Sequence, residues 1–190
     1  MYEPARDPRL RSLADRLGAG PVRRVTILGF DGDDVLVRLV DADTDAAGEV
    51  ARIPRHETAM RRAGHPTELF VVGQEIDADE IGRLGPGGQL LLSAKACEIP
   101  ALRSFLLALE RGQVVQGTVA AVHGFGVFVH VDGEPDGLCT GFIRVPDLAS
   151  ERRIEHPREV VEAGQRVAAE VVIAEPRSGQ VALSLRAKRS

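Results

Sequence analysis

One strand of alternating valine, phenylalanine and histidine residues offers the most chemistry in this sequence. In the run GFGVFVHVDGEPDG, the alternation of a β-strand points Val127, Val129 and Val131 to one side. Phe128 and His130 then share the opposite, water-facing side. An aromatic ring facing water is costly unless another surface covers it or it binds something. The strand therefore predicts a binding surface around Phe128.

A second aromatic residue, Phe125, precedes this strand. It lies three positions before Phe128, so strict alternation would place its ring on the opposite side. A β-bulge at Gly124 or Gly126 would return the ring to the side of Phe128. The alternative interpretation is that both rings cap the hydrophobic core beneath loops.

Other chemistries find little support in the residue spacing. Cys97 and Cys139 are isolated and match no zinc motif. Asp41, Asp43 and Asp45 begin like a calcium loop, but the glycine and the glutamate that this loop also needs are missing, which favours an exposed acidic turn. Phosphate-binding loops, nucleophile elbows and carboxylate clusters are not found. We therefore predict no enzymatic activity, no metal and no cofactor.

The charge balance restricts the partners. The chain has 24 lysine and arginine residues against 28 aspartate and glutamate residues, which gives a net charge of -4. Proteins that bind nucleic acid mainly through phosphates are usually basic, so this chain cannot rely on its net charge. No apolar run suits a membrane span, and the charged stretch Met1–Gly20 does not resemble a signal peptide. We expect a cytoplasmic protein with no membrane partner.

Two segments of the chain repeat each other, 91 positions apart. The segment Val71–Ala96 aligns without a gap on Glu162–Ala187. The matched pairs are Gly73-Gln74 with Gly164-Gln165, Gly88-Gln89 with Gly179-Gln180, and Leu92-Ser93 with Leu183-Ser184. Such a pattern indicates one supersecondary unit used twice, and alternating residues between Gly-rich turns indicate strands.

Two helices are predicted beside these strands. A short one spans Pro8–Leu17, and a longer one begins at Pro100 and is expected to end at Gly112. The apolar positions on one face of the longer helix are Leu102, Phe105, Leu106 and Leu109. The predicted layout is a helical segment over 1–20, a degenerate barrel over 21–97, a connecting helix over 98–111 and an intact barrel over 112–190.

A family resemblance follows from five motifs in the second half of the chain. They are GQVVQGTVAAV, FGVFVHV, GFIRVPDL, GQRVAAEVV and VALSLRA, in this order. Together they make Gly112–Lys188 resemble the S1 (S-one) RNA-binding domain, and Arg24–Ala96 resembles a decayed copy. The resemblance implies a mainly β fold with two five-stranded OB-type barrels in tandem, joined by an amphipathic helix. It also implies single-stranded RNA lying across the second and third strands of a barrel.

The resemblance implies roles for individual residues. Phe125 and Phe128 match the family positions that stack on bases, and His130 shares their predicted face. Arg144 stands where the family commonly has histidine, and Gln180 where a basic residue is frequent. The charge missing at Gln180 is expected from Arg177 in the adjoining loop. In the first copy Leu36 replaces Phe128, so that copy is expected to dock or stabilise rather than bind RNA.

The predicted function is non-enzymatic binding of single-stranded RNA with low sequence specificity, in translation or RNA metabolism. The expected partners are RNA and either the ribosome or RNA-processing proteins, and no oligomeric state is predicted. The alternative is a protein-interaction adaptor that docks on the ribosome, a polymerase or a ribonuclease. In that case Phe128 would anchor a protein instead of a base.

Overall fold

A computed structural model describes residues 20–40, 48–60, 64–84, 88–148, 154 and 156–185. The predicted helix Pro8–Leu17 and the three aspartates at 41, 43 and 45 lie outside these residues. The chain divides into two compact units, Met1–Pro100 and Ala101–Ser190. No helix in the described part is long and apolar enough to cross a membrane.

The first unit is a closed barrel of five strands in the order β1-β2-β3-β5-β4. Its neighbouring strands are antiparallel except β3 and β5, which run parallel. The strands are β1 (Val22–Asp31), β2 (Asp34–Leu39), β3 (Val50–Ile53), β4 (Glu75–Arg83) and β5 (Leu90–Ser93).

The second unit repeats this barrel with the order β6-β7-β8-β10-β9. Again the only parallel pair among these strands is the one that closes the barrel, β8 with β10. The strands are β6 (Val114–His123), β7 (Gly126–Val131), β8 (Gly141–Arg144), β9 (Arg166–Glu175) and β10 (Gln180–Ser184). The prediction of two five-stranded barrels in tandem is confirmed.

Alternating apolar residues fill both barrels. In β7, Val127, Val129 and Val131 are at most 2% exposed, as their spacing predicts. Burying such a side chain contributes about 1.5–3 kcal/mol to stability, so the valine face of each strand is the one that points into the barrel. The first barrel buries the equivalent strand face through Val35 and Val37.

The repeated Gly-Gln pair opens β4 and β9 for a local reason. Gly73 and Gly164 have φ values of 86° and 84°, a left-handed conformation that glycine adopts without strain. The backbone N–H of Gly73 donates to Ile27 O at 2.8 Å, and that of Gly164 donates to Val119 O at 2.8 Å. The glutamine that follows accepts a backbone N–H three residues upstream in both copies. One turn therefore docks on the first strand of each barrel.

The helix before the second barrel, α1, spans Pro100–Leu107. Leu102 and Leu106 are buried, as the helical spacing predicts. The helix ends five residues before Gly112, so Gly112 is not its cap. Instead Gly112, with φ 86°, lies in the turn before β6 and donates its N–H to Val171 O at 2.8 Å.

Candidate nucleic-acid interface

Four aromatic side chains of the second barrel form one cluster, which we call the ring cluster: His123, Phe125, Phe128 and Phe142. The His123 and Phe125 rings are stacked, with centroids 5.2 Å apart and planes 9° from parallel. Phe128 meets both of these rings edge-on, at 5.6 Å and 6.2 Å. Phe142 lies 5.1 Å from Phe128 and 6.2 Å from Phe125. The cluster is continuous across three strands.

The hairpin of β6 and β7 positions three of these rings. His123 pairs with Gly126 and Ala121 pairs with Phe128, after a register shift between Val119 and Ala121. Phe125 lies in the turn, outside both strands, so the alternation of β7 does not apply to its ring. The irregularity that was expected at Gly124 or Gly126 lies in β6 instead.

The fourth ring reaches the cluster from β8. Phe142 pairs directly with Phe128, and its ring crosses over Gly126. A Cβ atom on Gly126 would lie 2.6 Å from Phe142 Cζ and 2.6 Å from Ile143 O. Contacts this short do not occur between real side chains, so glycine is required there. The motif FGVF thus supplies the rings of Phe125 and Phe128, and the glycine between them leaves room for the ring of Phe142.

The ring cluster faces water rather than the core. Phe125 is 64% exposed, while Phe128 and Phe142 are half-buried and His123 is exposed. The buried residues beneath them are Val127, Val129 and Ile143. Within the described part of the chain, the rings therefore do not serve as a lid sealed over the core, which was the alternative interpretation.

Arg144 extends the same face at the end of β8. It pairs with Gly126, two residues beyond Phe142, so strand alternation places it on the side of the rings. Its Nε atom donates to Asp147 Oδ2 at 2.9 Å, and its side chain is 66% exposed. An ion pair this exposed is worth at most about 1 kcal/mol. The guanidinium can therefore exchange Asp147 for a phosphate.

His130 lies further along the same face of β7 but is engaged elsewhere. Its Nδ1 atom donates to Glu134 Oε1 at 2.8 Å and to Leu138 O at 2.9 Å. The hydrogen bond with Glu134, helped by that with Leu138, raises the pKa of His130 above its ordinary value of 6.5. Glu134 also accepts the backbone N–H and the hydroxyl of Thr140. His130 therefore holds the β7–β8 loop and does not join the ring cluster.

Gln180 borders the face from the other side. β10 runs beside β8, with Ala182 next to Phe142, so Gln180 shares the outer face with them. Gln180 is exposed, and Arg177 is half-buried in the turn between β9 and β10. His130, Arg144 and Gln180 thus share the outer face of the barrel with the rings, but only Phe125 and Phe128 of the predicted residues belong to the ring cluster.

The first barrel has no equivalent cluster among its described residues. The register of its first three strands places Asp31, Asp33, Leu36 and Arg52 at the four ring positions. Arg52 is held by Asp34 at 2.8 Å and by Asp31 at 2.6 Å. The hydrogen bond that Arg52 donates to Asp34 lowers the pKa of Asp34 below its ordinary value. The face is therefore charged and internally paired.

A metal site is not indicated in the parts of the chain that the structure describes. No group of three or more histidine, cysteine, aspartate or glutamate side chains there is placed to hold an ion. The chemistry that this surface offers is contact with flat rings and with anions.

Comparisons with known proteins give the following matches. The S1 RNA binding domain family matches residues 108–186. The small ribosomal subunit protein bS1 of Streptococcus pneumoniae is 30% identical over 168 residues, which are 88% of this chain and 38% of that protein. The bS1 protein of Leuconostoc lactis is 27% identical over 157 residues, which are 82% of this chain and 35% of that protein. This chain spans just over a third of both relatives.

Among solved structures, the intact alpha subunit of aIF2 from Pyrococcus abyssi is similar at 33% identity, with a TM-score of 0.37. The similarity covers 41% of this chain and 29% of that one. The segment matched by the family contains all five strands of the second barrel and the whole ring cluster. Residues 108–186 of this chain are therefore an S1 RNA-binding domain.

Proposed function

We propose that the second barrel binds single-stranded RNA by stacking bases on the ring cluster. The observation that carries the proposal is one cluster of four contacting rings on the outer face of β6, β7 and β8, in which His123 and Phe125 are exposed and Phe128 and Phe142 are half-buried. Aromatic rings on the second and third strands of a small barrel suit unpaired bases, because such bases expose flat faces and the rings need cover from water. Arg144, Arg177 and Gln180 are proposed to contact the RNA backbone beside the rings.

The energetics favour weak binding with low sequence specificity. Stacking contributes about 1–3 kcal/mol per base, and it tolerates any sequence because every base has a π-face. Electrostatic attraction is limited, since the net charge is -4 and Arg144 is paired with Asp147. We expect an affinity in the micromolar range or weaker, with a shallow dependence on salt.

The biological setting is proposed from the relatives. Two relatives named as ribosomal proteins support a non-enzymatic role in translation, at the ribosome and in the cytoplasm. The chain spans only part of these relatives, so its own partners require direct measurement.

A titration of fluorescently labelled single-stranded RNA tests the proposal. Phe128→Ala should weaken binding severalfold, because it removes the ring that contacts the other three members of the cluster. Leu36→Ala is the matched control, since Leu36 holds the same register position in the first barrel, and it should bind like the parent. If folded Phe128→Ala binds RNA as tightly as the parent, the stacking proposal is wrong.

A second candidate function, docking on a protein partner, is favoured by the first barrel. There the four ring positions carry two carboxylates, a leucine and an arginine that is paired with Asp31 and Asp34, so they offer no aromatic ring and no net positive charge. We propose that this barrel takes no part in RNA binding and serves as the adaptor part of the chain. Partners captured by the full chain should then survive RNase treatment and be lost when Asp33 and Arg52 on this face are exchanged for residues of opposite charge.

A further inference from the structure

The ring cluster is part of a longer row of apolar side chains on the outside of the second barrel. Phe128 pairs with Phe142 on β8, and Phe142 pairs with Ala182 on the parallel strand β10. Ala182 in turn pairs with Ile173 on β9. Each pair joins residues that lie opposite each other on neighbouring strands, so the row runs without a gap from the rings to Ile173.

A β-bulge turns Ile173 towards water. Leu183 pairs with Val171 but the next pair along is Ala182 with Ile173, so Val172 is the extra residue of β9. Val171 is fully buried, and strict alternation would bury Ile173 as well. The bulge instead moves the side chain of Ile173 to the outer face, where it is 47% exposed.

The first barrel shows that the fold does not need an apolar side chain at this position. The same register shift occurs in β4, between Glu80 and Gly82. Gly82 lies 91 positions before Ile173, so the first copy has no side chain where the second has an isoleucine. An exposed isoleucine is unfavourable unless another surface covers it. Ile173 is therefore a feature of the barrel that carries the rings and not of the shared fold.

Ile173 lies within reach of an RNA strand that is bound at the rings. Neighbouring strands are about 4.7–4.9 Å apart, so two spacings put Ile173 about 10 Å from Phe142. Barrel strands tilt by about 35–45°, so two spacings carry the row only partly around the barrel. The rings have few free faces, since His123 and Phe125 cover one face of each other. OB-type barrels bind about 4–16 nucleotides, a length that favours contacts beyond the cluster.

The charges beside Ile173 determine which part of the RNA can lie there. Its outward neighbours along β9 are Glu170 and Glu175, which pair with residues on the same side of β10 as Ala182. Carboxylates repel phosphates, so the RNA backbone is expected at the ring end of the row, where Arg144 lies. A base carries no charge and can pack its flat face on the isoleucine.

We propose that Ile173 is a further contact for the RNA, on which a base beyond those stacked on the rings packs by its flat face. The bound strand then crosses from β8 over Ala182 on β10 to β9, so the binding surface takes in all five strands of the barrel. The contact is apolar and accepts any base. The inference rests on the proposed binding of RNA.

Titration of the full chain against a fluorescently labelled oligouridine of about twelve nucleotides tests this contact. Ile173→Ser should weaken binding about threefold or more, because it removes the apolar surface. Ile173→Tyr should bind more tightly than the parent, since an aromatic ring stacks on a base. The matched control is Val50→Ser on β3 of the first barrel, because Val50 is similarly exposed, at 42%, and it should bind like the parent.

The dependence on salt separates this contact from a phosphate contact. The loss caused by Ile173→Ser should be the same at low and high salt, whereas the loss caused by Arg144→Ala should shrink as the salt concentration rises. A loss for Ile173→Ser that disappears at high salt overturns the inference.

The two proposals fail in different ways. If Phe128→Ala weakens binding but folded Ile173→Ser and Ile173→Tyr both bind like the parent, the contact at Ile173 is wrong and the proposed function stands. If none of the three variants changes the affinity, both are wrong.

Discussion

Phe128 and Phe142 face each other directly across β7 and β8, with ring centroids 5.1 Å apart. The same register position of the first barrel pairs Leu36 with Arg52. Both pairs lie on the outer face of identical barrel frameworks. The two halves of the chain thus share a fold but differ in the surface that their second and third strands present, and only the second half presents rings.

Phe142 should matter for RNA binding as much as Phe128 does. Phe142→Leu keeps an apolar side chain of similar size against Gly126 but removes the aromatic face. We expect it to weaken binding of single-stranded RNA by about 1 kcal/mol or more, measured by fluorescence titration. Arg52→Leu changes the matched position of the first barrel and should leave the affinity unchanged. Equal affinity of folded Phe142→Leu and the parent would remove Phe142 from the binding surface.

Gly126 should tolerate no side chain. Gly126→Ala places a methyl group 2.6 Å from both Phe142 Cζ and Ile143 O, so the ring or the strand must move. We expect a loss of about 1–3 kcal/mol in the free energy of unfolding of the second barrel, measured by urea denaturation, with weaker RNA binding. The control is Gly124→Ala, whose new Cβ would meet only His156 Nε2 at 4.0 Å. If the two variants are equally stable, the close packing of Phe142 on Gly126 is refuted.

His130 should show an alkaline shift in its titration. Its hydrogen bond to Glu134 raises its pKa above 6.5, so an NMR titration of the His130 ring should give a midpoint above that value. Glu134→Gln should move the midpoint back towards 6.5, because the carboxylate that favours the imidazolium is gone. A midpoint at or below 6.5 in the parent would contradict the contact.

The same contact makes the stability of the second barrel depend on pH. A histidine whose pKa is raised by folding contributes stability that is fully present below its unfolded pKa and is lost as the pH rises through its folded pKa. The difference in unfolding free energy between the parent and Glu134→Gln should therefore shrink from below pH 6.5 to clearly alkaline pH. If this difference in unfolding free energy stays constant across the range, the contact between His130 and Glu134 contributes no pH-dependent stability.

Several features could be predicted from the sequence because they depend on neighbouring residues. The valine alternation in β7 identified the buried face, since a strand has a side-chain period of two. The repeat of 91 positions identified two equal units, because Gly73 and Gly164 allow the same turn and Gln74 and Gln165 close it. The motifs of the second half identified the domain family for residues 108–186.

Other features escaped prediction because they depend on contacts between strands. The alternation in GFIR places Phe142 on the side of Arg144, but no local pattern pairs its ring with Phe128 on the neighbouring strand. The stacking of His123 on Phe125 depends on how the hairpin of β6 and β7 closes, which the spacing of the two residues does not specify. His130 was assigned to the surface by alternation alone, which gives no information on a bond to Glu134 in the following loop.

The sequence by itself determined that this chain uses one unit twice, which residues of each strand face the core, and that the second copy has Phe128 where the first has Leu36. These properties follow from the periodicity of apolar residues and from turns whose geometry is local. Only the tertiary structure decided which rings meet, that Gly126 makes room for Phe142, and that a bulge in β9 turns Ile173 outward beside Ala182. The reason is that strand register and loop packing bring together residues that are distant along the chain, and no local pattern specifies those distances.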